Sequence, residues 1–93
     1  MLFAILCKDK KDGLPIRLAN REAHLTYIRE TWVSKIASAG PLFGPDGQSM
    51  AGSLLIMELE DRAEAERYLA GDPYGKAGLF ESVEVWPYKK VFP

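Results

Sequence analysis

What this 93-residue chain has little of narrows its chemistry first. It holds 1 cysteine, Cys7, and 1 histidine, His24. A lone cysteine closes no internal disulfide, so the fold must rest on its apolar core, and the usage fits a reducing compartment. With no CxxC or HxxxH spacing, the three or four convergent donors of a transition-metal site are missing, and no metal is expected. Charge of one sign is lacking too: 12 Lys and Arg face 13 Asp and Glu, a net −1. Nucleic-acid and membrane-surface partners ordinarily require a basic excess, so neither is expected, and Lys89-Lys90 reads as a solvated strand end. No apolar run approaches the ~20 residues of a membrane span, and Met1 to Lys8 lacks the basic region of a signal peptide. A soluble cytoplasmic protein is expected. Neither GxGxxG nor a P-loop occurs among the glycines, which leaves no phosphate cradle and no expected cofactor.

The elements that are present fit one domain, residues 1–93. Leu2 to Lys8 is apolar on both faces and reads as a central strand. Asp9 to Pro15 is a charged loop marked by Gly and Pro. From Arg17 to Ala39 the period becomes helical, with Leu18, Leu25, Ile28, Trp32, Ile36 and Ala39 on one stripe and a stop at Gly40-Pro41. Pro41 to Pro45 suits a short edge strand, because proline gives the ladder no donor, and Asp46-Gly47 marks a turn. Ser53 to Leu59 is a second central strand. Asp61 with Glu64 forms an acidic capping box that opens a helix to Ala70, with Ala65, Tyr68 and Leu69 inward. Ser82 to Tyr88 alternates, and Pro87 places it at an edge. The order predicts an α+β, ferredoxin-like βαββαβ fold with an antiparallel sheet. Both helices then cover one sheet face, and the apolar residues of the other predict a homodimer with sheet packed on sheet.

The stretch Gly71-Asp72-Pro73-Tyr74-Gly75-Lys76-Ala77-Gly78-Leu79-Phe80 is the best candidate for chemistry. Gly71 can end the helix in a left-handed conformation and Pro73 fixes the next backbone angle, so the Asp72 carboxylate is held where the chain turns. Such a carboxylate is either a cap or an orienter. His24 falls at the edge of the core face of the long helix, beside Arg21 and Ile28. Its plainer reading is a histidine bonded to a neighbouring carbonyl; its chemical reading is a general acid or base. In a split βαβ fold the N-terminal half of the first helix and the C-terminal end of the second share one end of the sheet, so His24 and Asp72 can meet. A carboxylate beside the imidazole would select one tautomer, as the orienting acid does in hydrolytic triads. Arg21 either binds an anionic substrate or snorkels from the helix. Tyr74 either donates a hydrogen bond to substrate or packs over the loop.

Arg21-Glu22-Ala23-His24-Leu25, Ala39-Gly40-Pro41, Gly52-Ser53, Asp72-Pro73-Tyr74, Ala77-Gly78-Leu79-Phe80-Glu81 and the tail Val85-Trp86-Pro87-Tyr88-Lys89-Lys90-Val91-Phe92 resemble the YCII-related (YciI-like) proteins across nearly the whole chain. The resemblance implies a dimeric α+β barrel and a His24–Asp72 dyad in a cleft. One branch of that family eliminates chloride from chlorinated hydroxyhydroquinones, and the wider superfamily includes muconolactone isomerases and cofactor-free monooxygenases. Nothing in this sequence identifies an aromatic substrate. Two functions therefore stand side by side: a small cofactor-independent enzyme with lyase or isomerase outcomes, in which His24 and Asp72 are catalytic and Arg21 and Tyr74 hold a small organic substrate, and a non-catalytic dimeric module that binds a small ligand or a protein.

Overall fold

Alternation along the first strand sets the layers. In the computed structural model, which describes residues 1–93, Phe3, Ile5 and Cys7 of β1 (Leu2–Asp9) are buried while Leu2, Ala4 and Leu6 are only half-buried. One face of the sheet therefore lies under helices and the other is open. β1 pairs antiparallel with β3 (Met50–Glu58), with Ile5 opposite Leu55 and Cys7 opposite Ser53, and with β4 (Phe80–Tyr88), with Ile5 opposite Val85. β2 (Ile36–Phe43) completes the order β2-β3-β1-β4. The two doubly apolar strands are central and the two proline-bearing strands are edges, as the sequence predicts. Leu6, Leu54, Ile56, Trp86 and Tyr88 fall on the open face, where Trp86 is 60% exposed.

The long helix differs from its expected span. α1 covers Leu14–Tyr27, with Pro15 in its first turn where the missing N–H costs nothing. The coil then loosens into one π turn (Ile28–Trp32) and one 3-10 turn (Val33–Lys35), and β2 begins at Ile36. Ile36 and Ala39, expected on the helix, are strand residues opposite Met57 and Leu55. Leu18, expected in the core, is 62% exposed, and it is Arg17 that turns inward. The stripe is real as far as Ile28 and Trp32, which reach the core. Beyond them the same spacing is met by a strand, because pairing with β3 satisfies the backbone that the helix would otherwise have satisfied. Lys35, ion-paired with Glu64 and lying over the Trp32 ring, marks the corner.

α2 (Arg62–Gly71) opens as expected at its first turn. The Asp61 side chain accepts from Glu64 N–H at 2.9 Å, but Glu64 reaches back to Glu60 N–H rather than to its cap. Ala65 and Tyr68 are fully buried, and Leu69 packs partly against the core. Gly71 departs from its expected role: it lies within α2 and is not left-handed, the positive angle belonging instead to Gly78 at φ 78°. A side chain at Gly71 would collide with the hydroxyl and ring of Tyr27, so glycine serves close approach here. The loop that follows contains a short helix, α3 (Pro73–Lys76), that the sequence did not announce. No helix is long and apolar enough to cross a membrane.

Candidate active site

Three local features bring the site together. Tyr27, in the last turn of α1, lies against Gly71 and donates from its hydroxyl to the Tyr68 carbonyl at 2.9 Å, which binds the end of α1 to the end of α2. His24, one turn earlier on α1, is thereby held beside the residue that follows Gly71. That residue, Asp72, is extended (φ −66°, ψ 120°) and caps α3 by accepting Tyr74 N–H at 3.0 Å, with Pro73 fixing the first position of the short helix. His24 was expected in the N-terminal half of its helix and is found in the last regular turn of α1, before the π turn begins, and there the expected meeting with Asp72 occurs.

His24 Nδ1 lies 2.8 Å from Asp72 Oδ1, the same oxygen that takes the Tyr74 amide. The carboxylate is 1% exposed and the imidazole 12%. Because a carboxylate only accepts, Nδ1 is the donor in this bond, and in the neutral imidazole Nε2 is then the nitrogen with the lone pair. No group of the protein bonds to Nε2, so this nitrogen is the one available to a substrate. Asp72 thus caps α3 and touches the imidazole with one oxygen, the placement that an orienting carboxylate would need.

Tyr74 is 2% exposed, and its ring stacks on the imidazole at 3.9 Å between centroids with 16° between planes. Phe80 meets it edge-on at 6.3 Å. Burial pushes the Tyr74 phenol above its ordinary value and the neighbouring Arg17 charge opposes this; the net is upward, so the hydroxyl remains a donor through the neutral range. Arg21 is on the surface: its guanidinium is 3.8 Å from Glu22 and hydrogen-bonds to none of the site's side chains, although its charge also opposes the burial effect on Tyr74.

The sequence reading passed over Arg17. It is 5% exposed, with Nε and Nη2 on the two oxygens of Asp9 at 2.8 and 2.9 Å, Nη2 also on Ser53 Oγ at 3.0 Å, and Cζ 4.8 Å from the centre of the Tyr74 ring. Burial works against its charge, but the bonds to Asp9 outweigh it and hold the guanidinium above its ordinary value. One signal could have found it: Arg17 and His24 are seven residues apart, hence on one helix face. Cys7, fully buried below, has its thiol pushed up to about 12, chiefly by burial and then by the charges of Asp72 and Asp9, which excludes a thiolate role at neutral pH.

Two shallow grooves mark the surface nearby. One runs between α2, α3 and β4, past Leu69, Gly75, Lys76 and Phe80, and the other follows β4 from Val83 to Pro87 beside Arg62. Neither is lined by His24 or Asp72.

A family model described as the YCII-related domain matches residues 1–89. The chain is 37% identical over 98 aligned positions to Protein YciI of Escherichia coli O6:H1, covering 99% of this chain and 100% of that protein. It is 34% identical, over the same share of both chains, to an uncharacterised protein of Haemophilus influenzae. Among solved structures it is similar, with 41% identity and a TM-score of 0.86, to the 5-chloro-2-hydroxyhydroquinone dehydrochlorinase of Burkholderia phenoliruptrix AC1100 in complex with 2,5-dihydroxybenzoquinone. That match covers 96% of this chain and 94% of the other.

Proposed function

The chain belongs to the YCII-related family, and from that membership and the site's geometry we propose that it is a small cofactor-independent enzyme that moves a proton on a small organic substrate. The observation that carries this reading is the 2.8 Å contact between His24 Nδ1 and a buried carboxylate, with Nε2 left unpartnered. His24 Nε2 takes a proton from substrate as a leaving group departs or a double bond shifts, and the freed electron pair enters the new double bond. Asp72 holds the tautomer and stabilises the imidazolium that forms. Tyr74 supplies an O–H donor to a substrate oxygen beside the imidazole. Arg21 supplies positive charge at the rim, where an anionic substrate enters.

The solved relative is a lyase for a chlorinated, hydroxylated ring, so chloride release from 5-chloro-2-hydroxyhydroquinone is the first assay. The native protein is expected to release chloride, His24→Ala to lose nearly all turnover, and Asp72→Asn to lose about 10²- to 10⁴-fold. Full turnover by His24→Ala, on this or any substrate found, removes the mechanism.

A second reading has two observations on its side: His24 is 12% exposed, and the two grooves described above lie elsewhere. It makes the protein a binding module in which the His24–Asp72 bond only ties helix ends together. In that case Asp72→Asn changes stability and ligand screens find binders but no turnover.

The proposal includes a homodimer in the cytoplasm, formed through the open sheet face. Supporting it, Leu54 and Tyr88 are 36% and 41% exposed beside Trp86 on a face that no helix covers. A second copy laid sheet on sheet would bury them. Light scattering at micromolar concentration is expected to give twice the chain mass; a clean monomer rejects this assembly.

A further inference from the structure

We infer that Arg17 is a positioning residue for His24, acting through the ring of Tyr74. The inference rests on the reading of His24 as the group that moves the proton. Arg17 and His24 are seven residues apart on α1, which puts their backbones about 10.5 Å apart along the axis and their side chains on one face. That interval admits one aromatic ring between two planar groups. Tyr74 fills it, with the imidazole at 3.9 Å and the guanidinium carbon at 4.8 Å.

What fixes the plane of the imidazole decides whether Nε2 points at a substrate. The bond to Asp72 fixes one edge and leaves rotation about that bond open. The Tyr74 ring closes it by stacking. Tyr74 in turn has its plane held by Phe80 edge-on and by Arg17 over its face. Arg17 is the rigid end of this series, because three hydrogen bonds tie its planar fork to Asp9 of β1 and Ser53 of β3. The sheet is thereby connected to the imidazole through a salt bridge, a cation–π contact and a ring stack. A lysine in place of Arg17 keeps the charge but has neither the fork nor the flat face.

The test uses the single histidine as its own probe. The ring-carbon protons of His24 are recorded by NMR in the native protein, in Arg17→Lys, and in the double variant Asp9→Asn/Arg17→Gln, which leaves no buried charge unpaired. In the native protein these signals are expected upfield of an unstructured histidine, since the stacked ring shields them. Both variants are expected to move them downfield while far-UV circular dichroism stays native, and Arg17→Lys to lower kcat up to about 100-fold with KM little changed. Native resonance positions in either folded variant overturn the inference, even if that variant melts earlier, because Arg17 would then merely hold α1 to the sheet. A native protein inert toward every substrate counts against the proposed function instead, and the resonances still judge the stack.

Discussion

Asp72 serves two partners with one oxygen, and substitution separates them. Asparagine keeps an acceptor for Tyr74 N–H and the same volume, so Asp72→Asn is expected to melt within about 1 kcal/mol of native while losing the charge that, in the proposed mechanism, stabilises the imidazolium. Asp72→Ala loses the cap as well and is expected to cost a further 0.5 to 2 kcal/mol, on the order found for other caps. Denaturant titration of both variants checks the difference; equal stability of the two would mean that the bond to Tyr74 N–H contributes nothing. The meeting of His24 with Asp72 was legible in the sequence because a Gly-Asp-Pro turn and a sole imidazole are each rare and local. Arg17 was not legible. Its partners Asp9 and Ser53 are 8 and 36 residues away, and on a helix wheel an arginine beside Leu18 looks like a surface residue. Arg21, on the same helix face, has no acid beneath it; its nearest carboxylate is Glu22, and it stays in solvent.

At the scale of elements, the contact between α1 and α2 depends on the absence of one carbon. Alanine at Gly71 would ordinarily favour the helix by roughly 1 kcal/mol. Here its Cβ would lie 2.8 Å from Tyr27 Cζ and 2.9 Å from Cε1, so Gly71→Ala is expected to destabilise by about 1 to 3 kcal/mol through overpacking. In a Tyr27→Ala background the same change should become neutral or stabilising. A thermal-denaturation cycle over the four proteins measures this sign reversal, and additive effects would refute the close-approach account. The strand order and both edge strands could be read from apolar alternation and proline placement. The end of α1 could not, because Trp32 and Ile36 continue the helical spacing into a segment that strand pairing claims, and no local residue marks the change before Gly40. The four-residue α3 was hidden for a related reason: its cap, Asp72, also reads as a plain turn residue.

For the molecule as a whole, the buried thiol makes stability fall at alkaline pH. Cys7 is held at about 12 in the folded protein against 9.0 for an ordinary thiol, so above pH 9 the unfolded chain releases a proton that the folded chain retains. The thiol's contribution is full below pH 9 and is lost as pH rises toward 12, at up to about 1.4 kcal/mol per pH unit. Unfolding free energy measured from pH 8 to 11 is expected to drop more steeply for the native protein than for Cys7→Ala, and parallel slopes would contradict the burial. At the acid end, Asp46 accepts from the Gln48 and Ser49 backbone and the Ser49 hydroxyl, which lowers it to about 2. Its turn keeps its support above the ordinary carboxylate range and loses it as pH falls toward 2.

The two tryptophans lie in contrasting surroundings, Trp32 in the core and Trp86 on the open face. This gives the protein two fluorophores that report different events. Iodide or acrylamide should quench the emission of Trp86 and spare that of Trp32, and association through the open face should remove the quenchable fraction and shift the emission to the blue. Dilution followed by quenching would then give a dissociation constant without a label, while Trp32, dark to the quencher until the chain opens, reports unfolding in the same cuvette.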